Sequence, residues 1–97
     1  MYFALISTDK PHSEPLRNAN RPDHMEYLKA LGDRLVLAGP FLADDGTPSG
    51  SLIIIDANSR DEALAVASED PYARADLFET VEIRPWNWSY KNPTYTA

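Results

Sequence analysis

Four strand-like segments and two helical stretches, in the order β-α-β-β-α-β, predict an α+β fold of the ferredoxin-like, split βαβ kind. Three observations carry that prediction. Strand-like runs, apolar or rich in β-branched and aromatic residues, occur at 2–7, 35–38, 51–56 and 78–84. Met25, Leu28 and Leu31 fall three apart, as on one helix face. Ser59-Arg60-Asp61-Glu62 is a capping box. Right-handed crossovers then give one four-stranded antiparallel sheet with both helices on one face.

The first strand, Tyr2-Phe3-Ala4-Leu5-Ile6-Ser7, ends in the polar, proline-closed stretch Thr8-Asp9-Lys10-Pro11. Residues 9–20, with prolines at 11 and 15, read as a loop. The first helix is expected to begin at Pro22, because proline suits the first helical position, with Asn20 or Arg21 at the cap. Gly32 marks its end. The second strand, Leu35-Val36-Leu37-Ala38, is expected to stop at Gly39-Pro40, and the turn-rich segment 43–50 joins it to the third strand, 51–56, as a hairpin. The second helix starts at the capping box and must stop at Asp70, since Pro71 disfavours helical geometry in the residue before it. The fourth strand spans Phe78 to Arg84, and an aromatic tail, 86–97, follows.

The 97 residues are too few for a second core, so a single domain, 1–97, is expected. Fifteen acidic residues against nine basic ones leave a formal charge of −6, and no basic stretch exceeds one residue. A phosphate backbone would find little to neutralise, which disfavours nucleic acid as a partner. There is no cysteine, excluding disulfides, thiolate metal sites and thiol nucleophiles. The apolar run Leu52 to Ile55 is far too short to span a bilayer, and the start lacks a signal peptide's basic region. A cytoplasmic protein with no membrane partner is expected.

Strands one and three are apolar on both faces, and the tail holds both tryptophans. A sheet covered on one side only would expose a large apolar patch. Two sheets packed face to face in a homodimer would cover it, and the tail either crosses to the partner subunit or stays on its own. The alternative is a monomer whose tail folds back over its own sheet.

Two histidines are present. His12, in a proline-bounded loop, reads as a solvated side chain. His24 would lie in the first turn of the first helix, where the partial positive charge disfavours imidazolium and leaves a neutral ring able to accept a proton. Otherwise it is a surface histidine. Asp70, ending the second helix, is a carboxylate at an unfavourable helix terminus. A hydrogen bond to His24 would compensate and orient the ring, but topology alone does not bring the two together; the Pro71-Tyr72 turn would have to lead back.

Ser51 either places a hydroxyl at a pocket rim or makes a strand-start hydrogen bond. Arg21 either binds an anionic substrate or caps the helix. Gly39-Pro40 shapes the strand end and would let a ligand approach the backbone; Tyr72 either lines a pocket or packs the turn. Isolated histidines without cysteine offer no adequate metal ligand set, and Asp44-Asp45-Gly46 lacks the spaced oxygens of a calcium loop. No nucleotide-binding signature is present, so no cofactor is expected.

Several short motifs occur in a specific order: Arg21-Pro22-Asp23-His24-Met25-Glu26-Tyr27-Leu28, Ala38-Gly39-Pro40, Gly46 with Gly50-Ser51, Asp70-Pro71-Tyr72-Ala73, and Val81-Glu82-Ile83-Arg84-Pro85-Trp86. On these the chain resembles the YCII-related (YciI-like) family of the dimeric α+β barrel superfamily, over residues 1–86. The resemblance implies a histidine–aspartate site at His24 and Asp70, with some relatives acting as dehydrochlorinases. The resulting expectation is a cofactor-independent enzyme moving a proton on a small, mostly apolar cyclic substrate, by elimination, isomerisation or dehydrochlorination. The rival is a non-catalytic ligand-binding or regulatory dimer.

Overall fold

The computed structural model describes residues 1–94. Its elements are β1 (Tyr2–Asp9), α1 (Glu14–Leu31), a 3-10 turn (Gly32–Arg34), β2 (Leu35–Leu42), β3 (Pro48–Asp56), α2 (Arg60–Glu69), α3 (Pro71–Arg74) and β4 (Phe78–Trp86). The strands form one antiparallel sheet in the order β2-β3-β1-β4, the ferredoxin-like arrangement that the element order predicts.

Successive side chains of a strand point to opposite faces, so register decides what meets the helices. Phe3 pairs with Ile55, and Leu5 with both Ile53 and Ile83. These join Leu28 and Leu31 of α1 and Ala63 and Val66 of α2 in the core. Further along the same face the ladder turns polar, with Ser7 opposite Ser51 and Asp9 closing β1. The apolar end holds the helices down, and the polar end is where the candidate site forms.

The first helix begins about two turns before Pro22. Pro15 already occupies the first turn, where a missing N–H costs nothing. Pro22 is carried inside the helix, leaving the Asn18 carbonyl without its helical donor. Asn20, expected at a cap, is also helical, and its Nδ2 donates to the Leu16 carbonyl at 2.9 Å.

The second strand likewise runs through Gly39-Pro40 to Leu42. Pro40 pairs with Ser51 on an edge strand, where a lost N–H interrupts no second ladder. Pro85 is tolerated for the same reason opposite Phe3, so β4 reaches Trp86. The capping box forms with one difference: Ser59 Oγ accepts the Glu62 N–H at 3.1 Å, but Glu62 Oε2 accepts from Asn58 N–H. Pro71 ends α2 and also opens the short α3, a helix beyond the two expected.

The outer sheet face carries Leu37 and Phe41, each 41% exposed. Trp86 and Trp88 gather around Tyr2, with ring centroids 6.1 and 6.3 Å from it. This much of the expected tail therefore packs on its own sheet's end; residues 95–97 lie outside the described residues. No helix among the described residues is long and apolar enough to cross a membrane.

Candidate active site

The early start of α1 gives it a continuous buried face: Arg17, His24, Leu28 and Leu31. These spacings of seven, four and three return to one side of a helix. The face is polar towards the start and apolar towards the end, matching the sheet beneath it.

His24 Nδ1 lies 2.8 Å from Asp70 Oδ1, and both side chains are buried. Asp70 sits between α2 and α3 with φ −59° and ψ 126°, a non-helical geometry that stops one helix and starts the next. The short α3 is the turn that leads back, and Asp70 Oδ1 also accepts the Tyr72 N–H at 2.9 Å. An ionised carboxylate has no hydrogen to give, so Nδ1 carries the proton of the neutral ring and Nε2 bears a lone pair. Among the described residues Nε2 has no hydrogen-bond partner. The imidazole stacks on the Tyr72 ring, centroids 4.0 Å apart and planes within 15°.

His24 lies well inside α1, not in its first turn. The helix-terminus field is therefore remote, and its neighbours are Asp70 and the Tyr72 ring.

A cavity of about 300 Å³ opens beside this pair. Arg21, His24, Gly39, Pro40, Ser51 and Tyr72 border it, together with Arg17, Leu28 and Ile53, while Asp70 stands behind the imidazole. Its size is at the lower end for small-molecule pockets, enough for a compact ring. Gly39 faces open space, with nothing within 4 Å of where a Cβ would lie. At Gly50 a Cβ would come 2.2 Å from the Ser7 carbonyl oxygen, so only glycine lets β3 and β1 approach here.

The loop expected over 9–20 conceals Arg17, which lies in α1. The helical spacing from Arg17 through His24 to Leu28 and Leu31 was the available signal. It is 4% exposed. Its Nη2 donates to the Gly50 carbonyl and to Ser51 Oγ, each at 2.6 Å, and Nη1 to Ser51 Oγ at 3.4 Å. Nε lies 3.4 Å from Asp9 Oδ2, and the guanidinium carbon is 4.6 Å from the Tyr72 ring centroid. Among the described residues Asp9 Oδ1 has no hydrogen-bond partner. Burial raises the Asp9 carboxyl above its ordinary value, opposed by Arg17. Burial also pushes the Tyr72 phenol up, against Arg17 and Arg21. Tyr27, whose hydroxyl donates to the Val66 carbonyl, is raised by burial and then by Asp70 and Glu69.

Among the described residues no group of three or more His, Cys, Asp or Glu side chains is placed to hold a metal ion. The ionisable groups bordering the cavity are instead two arginines, a histidine and a tyrosine.

The YCII-related domain model matches residues 1–87. Protein YciI of Escherichia coli is 34% identical over 94 residues, covering 89% of this chain and 96% of that protein. An uncharacterised protein of Haemophilus influenzae matches at the same identity and coverage. Among solved structures, the 5-chloro-2-hydroxyhydroquinone dehydrochlorinase TftG of Burkholderia phenoliruptrix, in complex with 2,5-dihydroxybenzoquinone, superposes with a TM-score of 0.84. It is 33% identical, with 90% of this chain and 94% of that one covered. The Atu4242 protein of Agrobacterium tumefaciens, at 18% identity and a TM-score of 0.56, shares the fold alone. With the family model covering nearly its whole length, the chain belongs to the YCII-related family.

Proposed function

We propose that this protein is a cofactor-independent enzyme that moves a proton on a small oxygenated ring compound, with His24 as general base or acid. The observation that carries the reading is the buried 2.8 Å His24–Asp70 contact beside a cavity, which leaves Nε2 unpartnered among the described residues. A positioned imidazole whose other nitrogen is held by a carboxylate supplies proton transfer worth roughly 10²–10⁴-fold. Asp70 orients the ring, and Tyr72 packs flat against it. Arg21, exposed at the rim, meets an anionic oxygen of the substrate, while Gly39, Pro40 and Ser51 complete the wall. The dehydrochlorinase activity of the similar TftG supports elimination as the reaction class.

The working form is a homodimer in which the outer sheet faces pack together. The half-exposed Leu37 and Phe41 on that face support this assembly.

The test is a set of chlorinated and hydroxylated hydroquinones incubated with the protein, followed by product and chloride analysis. The wild type is expected to turn over at least one ring compound, and His24→Ala to lose about 10²–10⁴-fold of that rate. Recovery of every bound compound intact from the wild type would favour a non-catalytic binding protein.

A further inference from the structure

We propose that Ser51, positioned by the buried Arg17, donates its hydroxyl hydrogen to the substrate oxygen on which negative charge develops. A hydroxyl has two lone pairs and one hydrogen. Arg17 Nη2 and Nη1 both donate to Ser51 Oγ, at 2.6 and 3.4 Å, and so occupy the lone pairs. The hydrogen is left over. Among the described residues Ser51 Oγ donates to nothing, although the residue is 4% exposed and borders the cavity. Buried donors in native proteins are nearly always satisfied, and here a ligand oxygen is the group that would satisfy this one.

Arg17 acts mainly through Ser51. Four of its five N–H groups face Gly50, Ser51 and Asp9, and its guanidinium carbon sits 4.6 Å from the Tyr72 ring centroid. It is a positioning residue: its charge polarises the Ser51 hydroxyl from behind and strengthens it as a donor. The support is rigid, because Gly50 seats β3 so close to the Ser7 carbonyl that no Cβ fits. A donor fixed before reaction is what an oxyanion requires. The Tyr72 ring ties the two halves together, contacting the His24 imidazole on one side of the arrangement and the Arg17 guanidinium on the other.

The substrate class follows, and it rests on His24 acting as the base. It is a ring bearing a C–H beside a carbonyl, as in the keto form of a hydroxylated aromatic. His24 Nε2 takes the proton, and the C–H electron pair passes onto the carbonyl oxygen held by Ser51. In elimination that pair re-forms the carbonyl and expels the anion on the next carbon. The imidazolium returns its proton to the leaving anion or to water, so no oxidant is needed.

The probe is the anion of 2,5-dihydroxybenzoquinone carrying ¹³C at its ring oxygens' carbons, titrated into wild type, Ser51→Ala, Arg17→Lys and His24→Gln. Ser51→Ala is expected to weaken binding about tenfold or more and to shift the ¹³C resonance of the bound probe. Arg17→Lys, which keeps the charge but not the fork, is expected to give an intermediate shift. His24→Gln is expected to keep the wild-type shift and lose turnover. A wild type that does not bind the probe, or a Ser51→Ala that binds it equally with an unchanged shift, overturns the proposal. If Ser51→Ala loses the shift while His24→Gln turns substrate over normally, the oxygen site stands and the proton-transfer reading fails.

Discussion

One oxygen of Asp70 accepts both the Tyr72 N–H and His24 Nδ1–H, so the same atom fixes a turn and a tautomer. Asp70→Asn keeps the size of the side chain but can present an amide hydrogen to Nδ1, which would reverse the tautomer. Steady-state kinetics on a turned-over substrate is expected to show a kcat loss of roughly 10²–10⁴-fold with the fold intact by circular dichroism. Asp9 gives a prediction of a different kind. Burial raises its folded pKa above the ordinary 3.8, so the native state holds the proton more tightly than the unfolded chain. Its contribution to stability therefore falls as pH rises from the unfolded value through the folded one. Asp9→Asn removes that fall. Denaturant titrations are expected to show the variant gaining on wild type as pH rises above about 4, by at most about 1.4 kcal/mol per pH unit. A variant that loses ground over the same range would mean that the Arg17 ion pair outweighs burial.

At the scale of elements, the capping box and Pro71 located α2 well because both act on neighbouring residues. Pro22 misled because proline marks a helix start only when nothing upstream does it first, and Pro15 does. That shift hides Arg17, yet leaves His24 and Asp70 legible as residue types, while α3, which joins them, has a local signal of its own in Asp70 at the cap and Pro71 in the first turn. Gly39-Pro40 misled likewise, since a proline is tolerated wherever its strand is at an edge, and edges are a property of the whole sheet. Pro22→Ala restores a donor to the Asn18 carbonyl and is expected to stabilise the protein by about 1–3 kcal/mol in thermal melts. Gly50→Ala is expected to do the reverse, at about 1–3 kcal/mol, because its Cβ would press on the Ser7 carbonyl.

For the whole molecule, one sheet separates two tasks. Its inner face carries the core at one end and the cavity at the other, while its outer face presents Leu37 and Phe41. Double-sided apolarity of β1 and β3 was readable in the sequence, since it depends only on alternation. The position of the cavity was not, because it depends on α1 and α3 converging over Ser51. The homodimer reading predicts that sedimentation finds the wild type dimeric and Phe41→Asp shifted to monomer with its secondary structure retained.

The most direct test of the His24–Asp70 account is ¹⁵N NMR of the His24 ring at a pH where it is neutral. The account predicts a protonated Nδ1 and a bare Nε2 in the wild type, with the populations redistributed in Asp70→Asn. A wild-type ring protonated on Nε2, or a tautomer indifferent to Asp70, would contradict it.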